Sequence, residues 1–362
     1  MKLDKLNILF FTRTMKLGGT EKVVLQLCEI LKPRVNKIIV CSCGGVNTEV
    51  LDRMGIKHYE IPDIEDKSPS TIASVFKTVK KIIKNEQINV IHTHHRMAAF
   101  YTKVLFFTSK FTFINTSHNT FNDKRAFTRF AYKNANLIAC GEMVKRNLVQ
   151  QYGIPESQVT VIHNAVEAYD GSEVIIEELR DLRTQGYSLV GNVGRLSEQK
   201  GMEYFLRSLP KVKEVCPKVK YVIVGDGEDR NKLESLTIEL GIEKDVIFLG
   251  YRSDIRNVMC QLDFIVLSSL WEGLPLTPIE AFSVGKTVIA TAVDGSVEIV
   301  NNNRNGFLVS PRNSDEIADR VIELINNPKL RKAFEIEATK TYNQEFSFTK
   351  YSERVIEYYS KL

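Results

Sequence analysis

The stretch FIVLSSLWEGLPLTPIEAF, residues 264–282, changes period halfway along. FIVLSS is a short apolar run, the mark of a strand buried on both faces. A loop with Gly273 and Pro275 follows, and a helical segment opens near Thr277. Thr277-Pro278-Ile279-Glu280 has the form of a capping box. Thr277 would cap, Pro278 would take the first helical position, and Glu280 would reach back to the cap amide. Strand, loop and helix in this order form one limb of a βαβ unit, which implies a parallel sheet.

The same rhythm runs outward in both directions. Upstream in the second half lie strands in YSLVGNVGRL (187–196), KYVIVGDGE (220–228) and DVIFLGY (245–251), with helices in 201–215 and 229–241. Downstream come TVIATA (287–292) and GFLVS (306–310). The first half repeats the pattern: strands in LNILFF (6–11), NKIIVCS (36–42), IKHYEIP (56–62), INVIHTH (88–94), FTFINTSH (111–118) and NLIACGE (136–142). Its helices follow Gly18 and Gly19, where Thr20 reads as an N-cap, and occupy 71–85. Two doubly wound α/β domains in series are expected, joined by the polar stretch AVEAYDGSEVIIEE (165–178). The final segment, FTKYSERVIEYYSKL (348–362), places Tyr351, Val355, Tyr358 and Tyr359 on one side of a helix that should pack on a domain.

A chain of 362 residues is long enough for two domains. Its 43% hydrophobic and 26% charged content is that of a soluble globular protein, and no window reaches the ~18–20 apolar residues of a membrane span. The six cysteines (28, 41, 43, 140, 216 and 260) lack zinc or redox spacing and read as reduced thiols of a cytosolic protein. Residues 1–170 hold 24 Lys and Arg against 15 Asp and Glu, a net +9, while the remainder holds 25 against 29, a net −4. All six histidines lie in the first half. This asymmetry points to two domains with different partners.

In such sheets ligands bind beyond the carboxyl ends of the strands. A helix starting after Pro275 turns backbone N–H groups from Leu276 onward toward that site, which favours a phosphate. Capping alone does not account for Glu272, and carboxylates beside a phosphate suit neutral hydroxyl donors. A phosphate flanked by hydroxyl-bearing rings is a nucleotide sugar. Arg195 and Lys200, in GRLSEQKG, supply two cations for a departing diphosphate. Gly18 and Gly19 let backbone approach a ligand closely at the first strand's end, without forming a dinucleotide or P-loop pattern.

These residues resemble the retaining glycosyltransferases of family four. The likeness is carried by E-x7-E from Glu272 to Glu280, with GGTEK, VIHTHH, VIHNAV, GRLSEQKG, VGDGEDRNKL and VIFLGY in the family's order. The resemblance implies the α/β GT-B fold, two Rossmann-like domains facing each other across a cleft. Residues 1–168 with a returning 344–362 would form the acceptor domain, and 169–343 the donor domain. It implies that Arg195 and Lys200 bind the donor diphosphate, and that Glu272 contacts the sugar. Gly273, Leu276 and Thr277 would offer backbone contacts, and Glu280 would hold the ribose. Gly18 and Gly19 would approach the diphosphate, His118 would stand near the reacting sugar, and the base would lie near Tyr251 and Arg252. On the acceptor side, Asn164 matches an asparagine of the family, although His163 and Ala165 replace its usual proline and glycine, and His94 stands at a strand end.

The expected activity is retaining transfer of a hexosyl or N-acetylhexosaminyl group, with a UDP-linked donor and a glycan or lipid-linked acceptor in bacterial cell-surface polysaccharide synthesis. Alternatives are a non-hydrolase GT-B nucleotide-sugar epimerase and a non-catalytic nucleotide-sugar-binding subunit. No Asp-x-Asp pair occurs, so no metal or other cofactor is expected. His92 and His94 share a strand face but lack a visible third zinc ligand. Lys124, Arg125, Arg129 and Lys133 interleave with Phe127 and Phe130, which suits peripheral association with the cytoplasmic membrane surface. No nucleic-acid motif accompanies the charge.

Overall fold

A computed structural model describes residues 2–171, 174–293 and 295–362. The chain forms two compact units: Met1–Asn164 with Tyr351–Leu362, and Ala165–Lys350.

The first unit holds a seven-stranded, all-parallel sheet. Its strands are β1 (Asn7–Phe11), β2 (Lys37–Ser42), β3 (Lys57–Glu60), β4 (Val90–Thr93), β5 (Thr112–Ser117), β6 (Asn136–Ala139) and β7 (Val159–Val161), in the order β3-β2-β1-β4-β5-β6-β7. Five consecutive buried residues in β1, Asn7 to Phe11, show why the strand reads as a continuous apolar run: helices cover both faces. β7 was not legible in the sequence, since only Val159 of its three residues is buried. The last helix, Phe348–Ser360, returns to this unit and buries Tyr351, Val355 and Tyr359, with Tyr358 only partly covered. The first helix, Gly19–Leu31, is capped by Gly18; Thr20 lies inside its first turn and is not the cap expected from the sequence.

The second unit holds a six-stranded parallel sheet of β8 (Ser188–Val193), β9 (Val219–Val224), β10 (Val246–Gly250), β11 (Phe264–Leu267), β12 (Val288–Thr291) and β13 (Gly306–Val309), ordered β10-β9-β8-β11-β12-β13. Its core joins Val190, Tyr221, Phe264 and Ile289 from the strands to Phe205, Leu206 and Val321 from the helices. Phe205 stacks on Tyr221 at 4.0 Å, and the buried tyrosine hydroxyl meets Ser208 Oγ at 2.9 Å. Each such aromatic burial contributes roughly 1.5–3 kcal/mol.

In both sheets the strand order reverses at one place, between β1 and β4 and between β8 and β11, where α/β sheets bind ligands. The expected linker is not loose throughout. Asn257 exchanges two 2.9 Å hydrogen bonds with the Val174 backbone, and Gln261 accepts from Ile176 N at 2.8 Å. Ser172 and Glu173 of that stretch lie outside the described residues. Val166, leaving the first unit, forms a parallel bridge with Ser347 on the returning chain, and Tyr342 donates to the Val166 carbonyl at 3.0 Å.

Candidate active site

The carboxyl ends of β8 and β11 carry the residues singled out in the second half. After β8 the chain turns through Gly194 and Arg195 into a short 3-10 turn, Glu198–Lys200, closed by Gly201. Gly201 sits at φ +54, and a Cβ there would lie 2.4 Å from the Ser268 carbonyl oxygen. Only glycine permits both the conformation and the approach. The approach stitches this loop to the one after β11: Ser268 Oγ donates to the Lys200 carbonyl at 3.0 Å, Leu270 N donates to the Gln199 carbonyl at 2.8 Å, and Asn192 Nδ2 donates to Ser268 Oγ at 3.0 Å.

This framework sets Lys200 Nζ 2.6 Å from Glu272 Oε1, with Ser269 Oγ donating to the same oxygen at 2.7 Å. Glu272 is only 7% exposed, so its charge is balanced inside the protein rather than by water. The sequence pointed to Lys200 and Glu272 separately. Their direct pairing and the part of Ser269 follow from the loop crossing, which joins residues about 70 positions apart.

The helix after the loop runs from Leu276 to Ser283, and its N-cap is Pro275 in extended conformation with no side-chain cap bond. The capping box expected at Thr277 is therefore corrected. Thr277 lies within the first turn, and its Oγ1 points back to the β8 end, donating to the Val193 carbonyl at 3.4 Å. The hydroxyl is engaged there, so Pro275 rather than Thr277 ends the loop. Glu280 sits mid-helix and is 6% exposed. Gly273 is buried and Leu276 is half-buried at the helix start.

The other expected residues of this unit are more open to solvent. Arg195 is exposed, with 72% of its side chain in solvent, and pairs with Glu228 at 3.0 Å. Tyr251 is 60% exposed beyond β10, and Arg252 is held by Asp254 through bonds of 2.8 and 2.6 Å. Glu228 and Asp254 were not singled out in the sequence; an acidic residue in a glycine-rich or turn segment carries no signal for its partner.

In the first unit, Gly18 and Gly19 are exposed at the β1 end. Beyond β4 and β5, His94 Nδ1 and His118 Nε2 are 3.1 Å apart with stacked rings. Both line a cavity of about 270 Å³, whose wall also includes Thr20, Glu65, His95 and Arg96. Burial holds His94 well below the ordinary histidine range and pushes His118 down to about 4, so both rings are neutral near pH 7. His92 bonds Tyr359 OH at 2.6 Å and Thr116 Oγ1 at 2.7 Å, leaving neither ring nitrogen for a metal. Asn164 is buried beside His92 against a separate, water-sized cavity, not with His94 and His118. Among the described residues no group of three or more His, Cys, Asp or Glu is arranged to hold a metal ion.

The pattern described as "Glycosyl transferases group 1" matches residues 175–341, and that described as "Glycosyltransferase Family 4" matches residues 17–168. An Escherichia coli protein named UDP-Gal:alpha-D-GlcNAc-diphosphoundecaprenol alpha-1,3-galactosyltransferase is 26% identical over 338 residues, covering 87% of this chain and 86% of its own. A glycosyltransferase structure from Rickettsia africae superposes with a TM-score of 0.87 at 24% identity, over 98% of each chain. The Anabaena protein HepE, solved in complex with UDP, gives 0.84 at 23% identity, over 99% of this chain and 100% of that one. Two parallel-sheet Rossmann-like units, each half matched by a glycosyltransferase pattern, and a relative alike across both halves place this chain among the GT-B glycosyltransferases of the family-four-like group.

Proposed function

We propose that the protein transfers a hexosyl or N-acetylhexosaminyl group from a UDP-linked sugar to a glycan or lipid-linked acceptor, with retention of anomeric configuration and without a metal ion. The observation that carries this reading is the buried Lys200–Glu272–Ser269 cluster at the β8/β11 reversal, next to the Leu276 helix start. It sets a cation for phosphate beside an acceptor for hydroxyls, and a sugar joined to phosphate carries both groups side by side. The names of the E. coli relative and of the HepE complex support a uridine donor, and the former supports a lipid-linked acceptor.

In the proposed reaction the bond between the anomeric carbon and the phosphate oxygen breaks, and its electron pair leaves on the diphosphate. The acceptor oxygen forms the new bond on the same face, and its proton passes to a diphosphate oxygen. Arg195, Lys200 and the helix start stabilise the charge that develops there. Glu272 orients the sugar through its hydroxyls, Glu280 holds the ribose, and Tyr251 and Arg252 flank the base.

Peripheral membrane association belongs to the same reading. Lys124, Arg125, Arg129 and Lys133 are exposed around the helix Arg125–Tyr132, beside the exposed Phe130. Among the described residues no helix is long and apolar enough to cross a membrane. Reversing these four charges should abolish sedimentation with anionic vesicles; undiminished sedimentation would remove the membrane part of the proposal.

The test of the central claim is incubation with a panel of nucleotide sugars, with and without an undecaprenyl-linked acceptor. Acceptor-dependent nucleotide release is expected, lowered about 10²–10³-fold by Glu272→Gln. Conversion of the nucleotide sugar to its epimer without an acceptor and without net nucleotide release would indicate an epimerase, and binding without turnover a non-catalytic subunit. An inverted product in an NMR time course would refute retention.

A further inference from the structure

Three imidazoles, His92 on β4 and His94 and His118 just past the ends of β4 and β5, form one stack. His92 and His94 lie 4.3 Å apart and 28° from parallel, and His94 and His118 lie 5.4 Å apart and 23° from parallel. Their nitrogens are unequally served. His92 is fully buried and has a hydroxyl partner at each nitrogen. His94, 4% exposed, bonds His118 through Nδ1, while its Nε2 is buried with no partner.

That orphan decides where the protons sit. One nitrogen of the His94–His118 contact must donate and the other accept. If His118 donated, His94 would carry its proton on Nε2 and bury an unpaired N–H, a rare and costly arrangement. If His94 donates from Nδ1, what remains buried is a bare ring nitrogen, the lesser loss. With both rings neutral, the proton of His118 is then left on Nδ1.

We propose that His94 is a positioning residue that locks His118 as its Nδ1–H tautomer, so that His118 meets a ligand as a neutral hydrogen-bond donor and not as a base. Nε2 of His118 is taken by His94, so any bond from this ring to a ligand runs through Nδ1. The ligand it suits is a hydroxyl or ether oxygen of a sugar. An anion is disfavoured, because the charges around the cavity are already matched: Glu65 pairs with Arg13 at 2.6 Å, and Arg96 with Asp123 at 2.6 Å. A volume of about 270 Å³ lies just below the roughly 300–1,000 Å³ of small-molecule sites, room for one ring. The link to transfer rests on the proposed function above; the tautomer assignment does not.

The test separates the two. In ¹⁵N-histidine-labelled full-length protein, two-bond ¹H–¹⁵N spectra should show Nδ1–H for both His94 and His118. His94→Gln, whose amide can still donate, should keep the His118 tautomer. His94→Phe, which keeps a stacked ring but has no donor, should release His118 to the Nε2–H form usual in water. In transfer assays His94→Phe should lower kcat about tenfold, the loss of one oriented hydrogen bond, with KM for the UDP-sugar unchanged and with rescue by His94→Gln. An Nε2–H signal for His118 in the wild-type protein would overturn the assignment whether or not transfer is observed. A normal tautomer pattern with equal kcat in wild type and His94→Phe would overturn its catalytic use, and absence of transfer by the wild-type protein would instead refute the proposed function.

Discussion

Replacing Lys200 by Met isolates the interaction that organises the candidate donor site. Lys200 Nζ lies 2.6 Å from Glu272 Oε1, and the two side chains are 18% and 7% exposed. Removing one partner of a buried pair strands the other charge and costs about 3–5 kcal/mol. Lys200 keeps some contact with water, which screens the pair and brings the cost down to about 2–3 kcal/mol. Met preserves the aliphatic stem, so little of this loss comes from packing. In a unit of this size each kcal/mol shifts Tm by roughly 2–4 °C, giving a fall of ~5–10 °C. Glu272→Gln alone should cost less, about 1 kcal/mol, because Ser269 can still hydrogen-bond the amide. The double variant should then be less damaged than the sum, with a coupling of about 1.5–2 kcal/mol. Trp271, the chain's single tryptophan, adjoins Glu272, so its fluorescence in a urea titration reads this unit separately from the other. A Lys200→Met midpoint displaced by less than ~0.5 kcal/mol, or a coupling of zero, would mean that the pair is not a structural element of the site.

Three further outcomes are expected. The first unit should lose stability in mild acid: burial lowers His92 to about 3 and His118 to about 4, so the stability they contribute is complete above the unfolded value near ~6.5 and is lost as pH falls toward those values. Each contributes a slope approaching ~1.4 kcal/mol per pH unit, and near-UV circular dichroism melts at about pH 7 and about pH 5 with the same Tm would contradict this. Tyr359→Phe removes the hydroxyl at 2.6 Å from His92 Nδ1 and should cost about 1–3 kcal/mol in chemical denaturation; an unchanged midpoint would show that this bond does not hold the ring. Gly201→Ala meets both a positive φ and the Ser268 carbonyl at 2.4 Å; it should lose roughly 1–3 kcal/mol and weaken UDP binding by calorimetry, whereas wild-type affinity would show that the loop crossing does not shape the site.

Much of the architecture was written in local pattern. Alternation of short apolar runs with 3.6-period segments is set by neighbouring residues, and it located β1 to β6 and β8 to β13, most within a residue or two, with the ends of β6, β8 and β9 overrun by three or four. β7 escaped because a three-residue edge strand with one buried position has no period to detect. The caps at Thr20 and Thr277 were misplaced for a related reason. A threonine before a helical run looks like a cap in isolation, but the chain ends its loop at Gly18 and Pro275, and Thr277 finds the Val193 carbonyl instead.

The amino-acid sequence by itself determined the two-domain α/β class, and it marked Arg195, Lys200, Glu272, Glu280 and His118 as the residues to watch, because residue type and position after a strand are local properties. Only the tertiary structure decided that Lys200 neutralises Glu272, that Arg195 rests against Glu228, and that His94 has one nitrogen filled and one empty. Those facts depend on distances between segments far apart in the chain. Burial then sets their meaning, because a charge or a proton excluded from water must be answered by whichever group the fold brings within about 3 Å.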